Sequence, residues 1–159
     1  MEIVFNSIGR INTPFKTIED MPIQPSGARG VLGTVEVFPE FTPALKDLEG
    51  FSHIYLLYYF HRVKEWKPQV IPFLDNSPHG VLSTRAPKRP NPIGLSIVHL
   101  LSIEDGLLKV ENIDVLDGTP LLDIKPYVPG FDHFEATSIG WLEKNIKQVR
   151  DQRSDQRFR

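Results

Sequence analysis

The stretch 84–96 constrains the backbone of this chain more than any other, because it holds three prolines within six residues: Pro87, Pro90 and Pro92. Proline fixes φ and removes a backbone N–H donor. It also pushes the residue before it out of the helical region. The sequence therefore predicts a rigid, extended connection that ends at Gly94, just before an apolar strand.

The same stretch carries three cations, Arg85, Lys88 and Arg89. Cations on a stiff backbone suit an anionic partner such as a carboxylate, a phosphate or RNA. A proline-rich surface loop with solvated charges has the same composition, so the pattern alone leaves both interpretations open. Because the formal net charge of the chain is −2, any contact with nucleic acid has to come from a local basic patch.

The composition is that of one globular domain. The chain has 159 residues, of which 40% are apolar and 24% charged, which is enough for a real core. The absence of cysteine excludes disulfides, cysteine nucleophiles and thiolate metal sites, and the scattered histidines predict no metal site either. With no long apolar stretch and no secretory leader at the start, we expect a cytoplasmic protein without membrane association.

Short apolar or alternating segments predict a mainly all-β domain. The predicted strands are 3–11, 33–38, 52–60, 95–103, 107–115 and 121–125. Asp105-Gly106 favours a tight hairpin between two of them. The strand 52–60 is nearly all apolar, which is typical of a strand buried on both faces, with Ile54, Leu56, Tyr58 and Phe60 in the core. Many short strands without alternating helices favour a sandwich or barrel.

Only two short helices are predicted. The first spans 42–48, with Thr42 as its cap, Pro43 in its first position and Gly50 beyond its end. The second spans 139–152. Since 151–159 is nearly devoid of apolar residues, the sequence predicts a domain over 1–143, followed in 144–159 by a helix end and a disordered tail.

Two long motifs in this chain resemble those of the TrmO-type tRNA methyltransferases. The first is T-R-A-P-K-R-P-N-P-I-G at 84–94, and the second is D-V-L-D-G-T-P-L-L-D-I-K-P-Y at 114–127. Shorter matches at 24–25, 50–54 and 60–61 extend the resemblance over about 3–143. Many members carry a further C-terminal domain, so the resemblance is to a short form without it.

The resemblance implies a single antiparallel β-barrel that binds S-adenosylmethionine close to a homodimer interface. None of the familiar glycine-rich nucleotide fingerprints is present, so the cofactor is implied by the resemblance alone. The implied reaction is methyl transfer to N6 of N6-threonylcarbamoyladenosine at position 37 of tRNA. The implied partners are therefore tRNA and a second copy of the chain.

The resemblance also implies a cofactor site drawn from several segments. The residues that match the family's binding pattern are Pro25, Ser26, Gly27, His61, Arg62, Arg85, Leu95, Glu111, Asn112, Ile113 and Asp114. We expect Asp114 at a polar end of the cofactor and Leu95 in packing contact with it. The position of Arg62 varies within the family.

Correct placement of the acceptor against the methyl donor accounts for much of the catalysis in such a reaction, because the donor is already activated. N6 is a poor nucleophile, so a base that removes its proton would help, and His61, Asp114 and Asp117 are the candidates. Arg85, Lys88 or Arg89 would hold the threonyl carboxylate, for which the guanidinium fork is best suited. Catalytic roles are expected for Arg85, His61 and Asp114, and contacts with substrate or RNA for Lys88, Arg89, Asp117 and Lys125.

Two other interpretations remain open at this stage. One is a methyltransferase with a different acceptor. The other is a non-catalytic RNA-binding barrel that stacks bases on Tyr55, Tyr58, Tyr59 and Trp66. Single residues also have plainer explanations: Asp117-Gly118 as a turn, and Asp123 as a partner of Lys125 along a strand.

Overall fold

A closed, six-stranded antiparallel barrel forms the body of the protein in the computed structural model, which describes residues 1–19, 21–22 and 27–144. Its strands follow one another around the barrel in the order β1-β2-β7-β6-β3-β8. The strands are β1 (Gly9–Asn12), β2 (Leu32–Val37), β3 (His53–Tyr59), β6 (Ile93–Glu104), β7 (Leu107–Glu111) and β8 (Thr119–Pro126), with a separate pair β4 (Gln69–Val70) and β5 (His79–Gly80). The predicted fold class is therefore confirmed.

Side-chain alternation along the strands fills the barrel with apolar residues. Ile54, Leu56 and Tyr58 point inward from β3 and are buried, as predicted. The outward residues of β3 are half-exposed or exposed, so the prediction that this strand is buried on both faces was wrong. The β6–β7 hairpin turns through Asp105 (φ 49°) and Gly106 (φ 81°), which confirms the predicted tight turn.

Two strand ends differ from the prediction for identifiable reasons. β1 starts at Gly9 rather than residue 3, because the neighbouring β2 ends at Val37 and the chain there turns into a helix at Pro39. β7 ends at Glu111 because Asn112 takes φ 67°, which cannot continue the strand. β8 is longer than predicted, starting at Thr119.

The first helix differs from the prediction in position and type. It is a 3₁₀ helix over Pro39–Leu45 in which Pro43 is internal and Thr42 donates to the Pro39 carbonyl (2.9 Å) rather than capping a helix. Further single turns span Leu48–Gly50, Val81–Ser83, Pro129–Asp132 and Gly140–Lys144. Residues 145–159 of the predicted helix end and tail lie outside the described residues.

Gly94 is required by a close approach to Tyr58. A Cβ at this position would lie 2.1 Å from Tyr58 Cε2, and the tyrosine ring is buried and cannot move aside cheaply. We expect Gly94→Ala to lower the free energy of unfolding by about 2–3 kcal/mol, measured by urea denaturation. Gly50→Ala is the matched control, because its Cβ would meet nothing within 4 Å, and equal stability losses in both variants would contradict this account.

Candidate functional site

A buried carboxylate lies in the connection between β7 and β8. The side chain belongs to Asp114, whose residue is 8% exposed although the surrounding core is apolar. Ser96 Oγ donates to Asp114 Oδ1 over 2.6 Å, and the Tyr58 hydroxyl lies 3.0 Å from Ser96 Oγ. Since the single hydroxyl proton of Ser96 goes to Asp114, Tyr58 must donate to Ser96. The three side chains thus form one relay that ends on the carboxylate.

Backbone geometry brings the chain segments around Asp114 together. Asn112 N and Ile113 N both donate to the Val31 carbonyl, over 2.8 and 3.3 Å. Asn112 Oδ1 accepts from Gly30 N over 2.9 Å, which holds the loop that begins at Gly27 against this segment. The main chain at 30–31 therefore lies beside 112–113, although the two stretches are far apart in sequence.

Burial dominates the electrostatics of this carboxylate. It raises the pKa of Asp114 to about 6, although the Ser96 hydrogen bond and the charge of Arg85 act in the opposite direction. Burial, followed by the charge of Asp114, raises the pKa of Tyr58 far above its ordinary value. Tyr58 is therefore a neutral phenol at every working pH, as its role as donor requires.

His61 lies just beyond the end of β3 and is half-buried. Burial, and then the charge of Arg62, lowers its pKa, so the ring is neutral at pH 7. Its Nδ1 lies 3.4 Å from Thr119 Oγ1, whose proton already goes to the Leu116 carbonyl over 2.7 Å. This arrangement favours a proton on Nδ1 and leaves Nε2 as an acceptor, which suits a general base.

The three cations of the proline segment (residues 84–92) have different environments. Arg85 is exposed, and its charge acts on both Asp114 and Tyr58. Arg89 is half-buried, and its Nη1 donates to the Thr84 and Ala86 carbonyls over 3.0 and 3.2 Å. Lys88 is 5% exposed. Arg85 is thus the cation presented to solvent beside the carboxylate, and Arg89 braces the turn that carries it.

The proline segment is non-helical, as predicted, but it is bent rather than straight. Arg89 N donates to the Pro87 carbonyl and Ile93 N to the Asn91 carbonyl, each over 2.8 Å. These bonds close two three-residue turns. The bends explain how neighbouring cations come to face different surroundings.

The other predicted cofactor residues in the described ranges have varied surroundings. Leu95 is 49% exposed on the outside of β6, on the face opposite to Ser96. Glu111 Oε2 lies 3.3 Å from His99 Nδ1. Ile113 is fully buried, so only its main chain is available to a ligand. Arg62 is exposed beside His61, and Pro25 and Ser26 lie outside the described residues.

Two residues predicted to bind substrate have structural partners. Asp117 Oδ1 accepts from Thr13 N over 2.8 Å and Oδ2 pairs with Lys16 over 2.7 Å, which lowers the pKa of Asp117 and makes it the weakest candidate base. Lys125 Nζ pairs with Asp123 over 2.8 Å. Asp117 and Gly118 form a turn in which Gly118 has φ 76°, and Asp123 pairs with Lys125 along one strand, so both plainer explanations have direct support.

Neither Ser96 nor the polar role of Tyr58 was predicted from the sequence. A polar residue at an inward position of an otherwise apolar strand was the available signal for Ser96. One interpretation was a barrel that stacks RNA bases on four exposed aromatic side chains. It was wrong for Tyr58, which is buried and shares no face with Tyr55, Tyr59 or Trp66.

Two surface concavities lie away from this site. One, of about 470 Å³, sits at the β6–β7 hairpin and is bordered by Glu36 and Asp105, and one of about 410 Å³ lies beside Asp117. Neither includes Asp114.

Within the described ranges, no cluster of His, Asp and Glu suits a metal ion, and no helix has the length and apolarity to cross a membrane. The groups established around Asp114 are its carboxylate, the hydroxyls of Ser96 and Tyr58, nearby loop main-chain groups, and the guanidinium of Arg85, whose charge acts on it.

Comparisons with known proteins agree on one family. Residues 10–133 match the family model described as the tRNA-methyltransferase O N-terminal domain. A probable S-adenosyl-L-methionine-binding protein of Pyrococcus abyssi is 54% identical over 156 residues, covering 98% of this chain and 85% of the relative. The tRNA (adenine(37)-N6)-methyltransferase of Escherichia coli K12 is 38% identical over 149 residues, covering 87% of this chain and 63% of the relative.

The solved structures point the same way. The crystal structure of TrmO from Pseudomonas aeruginosa matches with a TM-score of 0.74 and 40% identity. The match covers 89% of this chain and 63% of that chain. This chain therefore spans a little under two thirds of the length of the two named methyltransferases.

Proposed function

This chain belongs to the TrmO family, and we propose that it is an S-adenosylmethionine-dependent methyltransferase acting on N6 of N6-threonylcarbamoyladenosine at position 37 of tRNA. The observation that carries the proposal is the buried Asp114 carboxylate, held by Ser96 and bordered by Arg85. Relatives named as S-adenosyl-L-methionine-binding proteins support the cofactor, and the Escherichia coli relative supports adenine 37. The threonylcarbamoyl group rests on the resemblance of the two long motifs.

The donor set at Asp114 fits S-adenosylmethionine. The ligand has two amino groups and a ribose diol, all of which can donate hydrogen bonds to a carboxylate. Because Asp114 is buried, its charged form needs hydrogen-bond donors as partners. When bound, the cofactor supplies a methyl group already activated on a sulfonium.

The chain's own residues then orient and deprotonate the acceptor. Ser96 fixes the orientation of Asp114, and Tyr58 fixes that of Ser96. Neutral His61 takes the N6 proton at Nε2. Arg85 binds the threonyl carboxylate from its exposed position, where a bidentate pair gives both affinity and orientation.

A comparison of two tRNA preparations tests the acceptor. The same tRNA is prepared with and without threonylcarbamoyl, and transfer of a labelled methyl group is counted. We expect transfer only to the threonylcarbamoylated tRNA. Equal transfer to both indicates a different acceptor, and no transfer to either, with RNA binding indifferent to S-adenosylmethionine, indicates a non-catalytic RNA-binding barrel.

The proposal includes a homodimer with the cofactor near its interface, located in the cytoplasm where its tRNA acceptor is found. The outer face of β3 and β6 supports a dimer, because Leu57 pairs in register with Leu95 and Tyr55 with Ile97. Leu95 and Ile97 are 49% and 37% exposed. A second copy would cover these side chains and account for Leu95, a predicted cofactor residue that points away from Asp114.

A charge on this outer face is expected to separate the copies. Ile97→Asp should convert a species of twice 18.1 kDa into one of 18.1 kDa in sedimentation equilibrium, because a buried unpaired carboxylate is costly at an interface. Leu107→Asp, at a 38% exposed position on β7, is the matched control and should remain dimeric. A monomeric wild type, or an Ile97→Asp variant that stays dimeric, would refute the dimer.

A further inference from the structure

An exposed tryptophan surrounded by cations follows β3. Trp66 is 55% exposed, and its neighbours Arg62, Lys64 and Lys67 are exposed as well. Residues 62–89 hold six Lys and Arg but only two acidic residues, a formal charge of +4 in a chain whose total is −2. This stretch, which contains the proline segment, thus carries a local positive charge in a chain that is negative overall.

Two backbone hydrogen bonds fix the segment 61–67 against the proline segment. Phe60 N donates to the Pro92 carbonyl over 2.8 Å, and Lys67 N donates to the Lys88 carbonyl over 3.0 Å. The residues between these anchors form an exposed loop that starts at His61. Trp66 therefore lies on the surface that adjoins the candidate site, not on a remote part of the barrel.

The second tryptophan shows the contrast. Trp141 is half-buried, stacks on His79 with ring centroids 4.6 Å apart, and donates from Nε1 to the Ser83 carbonyl over 2.9 Å. These contacts explain Trp141 as a structural residue. An indole that is more than half exposed and flanked by cations has no such explanation in packing.

We propose that Trp66 is a stacking platform for an unpaired base of the RNA strand beside the acceptor nucleotide, with Arg62, Lys64 and Lys67 contacting the phosphates around it. Aromatic side chains stack on bases of any sequence, and cations beside them follow the backbone. RNA recognition mostly targets unpaired loops, whose bases can be splayed out and stacked on aromatic side chains. This inference rests on the proposed function, because it requires an RNA acceptor.

Fluorescence in a Trp141→Phe background tests the proposal, since the chain has two tryptophans and Trp66 is then alone. The probe is an anticodon stem-loop RNA carrying N6-threonylcarbamoyladenosine. We expect quenching on titration with this hairpin and none with a blunt duplex of the same stem. Trp66→Leu should raise the Kd and KM for the hairpin about tenfold with little change in kcat, and Trp66→Phe should restore most of the affinity.

The salt dependence of RNA binding distinguishes the contribution of Trp66 from that of the neighbouring cations. Lys64→Ala or Lys67→Ala should reduce the slope of log K against log salt by about one, whereas Trp66→Leu should leave the slope unchanged. The inference is overturned if the fluorescence of Trp66 is not quenched and the Trp66→Leu variant keeps the Kd and KM of the wild type. In that case, methyl transfer by the wild type would still uphold the proposed function. Quenching and a weakened Trp66→Leu variant in a protein that transfers no methyl group would uphold the stacking surface and overturn the proposed function.

Discussion

Asp114→Asn is expected to lower kcat/KM for methyl transfer by about a hundredfold or more and, at the same time, to stabilise the folded protein at pH 8. Burial raises the pKa of Asp114 from 3.8 to about 6, so the folded state holds this proton more tightly than the unfolded state. The contribution of this group to stability therefore falls as the pH rises from about 4 to 6 and stays low above that range. Asparagine keeps an acceptor for Ser96 but has no charge to bury.

Urea denaturation at several pH values measures this effect. A shift of about two pKa units corresponds to about 3 kcal/mol, which is the upper limit for the stability gained at pH 8, and the gain should vanish near pH 4. The matched control is Asp105→Asn, because Asp105 is exposed in the hairpin turn with φ 49°, a conformation that asparagine also adopts. An Asp114→Asn variant with full activity, or one that is less stable than wild type at pH 8, would contradict the account.

Arg85→Ala is expected to lower kcat/KM on threonylcarbamoylated tRNA by about a hundredfold while changing the free energy of unfolding by about 1 kcal/mol or less. The side chain is exposed, so its loss leaves the core intact. Because its positive charge lowers the pKa of Asp114, removing it should raise that pKa further. The acid limb of the pH–rate profile should then move to higher pH.

The Arg89→Ala variant distinguishes the proposed contact of Arg85 with the threonyl carboxylate from a general effect of removing a positive charge. Arg89 Nη1 donates to two carbonyls of the proline segment, so its loss should lower the free energy of unfolding by about 1–3 kcal/mol. Arg85→Lys should recover little activity, because an ammonium cannot make the bidentate pair. Wild-type kcat/KM in Arg85→Ala, or an acid limb that does not move, would remove Arg85 from the site.

The sequence predicted what depends on local pattern. Alternation and turn residues were enough for the barrel strands and for the Asp105-Gly106 hairpin, because both are governed by neighbours in the chain. The predicted helix over 42–48 was wrong because Pro39 and Pro43 together favour a 3₁₀ turn that starts earlier. The early end of β7 at Glu111 follows from one backbone dihedral at Asn112, a residue whose type alone does not require it.

The site depends on long-range register, which the sequence does not display. Tyr58 and Ser96 come together only because β3 pairs with β6 in a register that sets Tyr58 opposite Gly94. Arg85 and Arg89 are the same residue type four positions apart, and only the bends of the proline segment decide which one faces solvent. The resemblance named Asp114, but the hydroxyl relay that holds it became visible only in three dimensions.

Calorimetric titration with S-adenosylmethionine tests the central claim most directly, namely that the buried carboxylate end of this barrel holds the cofactor. The account predicts one cofactor per chain in the wild type, at least about tenfold weaker binding in Asp114→Asn, and unchanged binding in Asp105→Asn. Wild-type affinity in Asp114→Asn, or no binding to the wild type with or without tRNA, would contradict it.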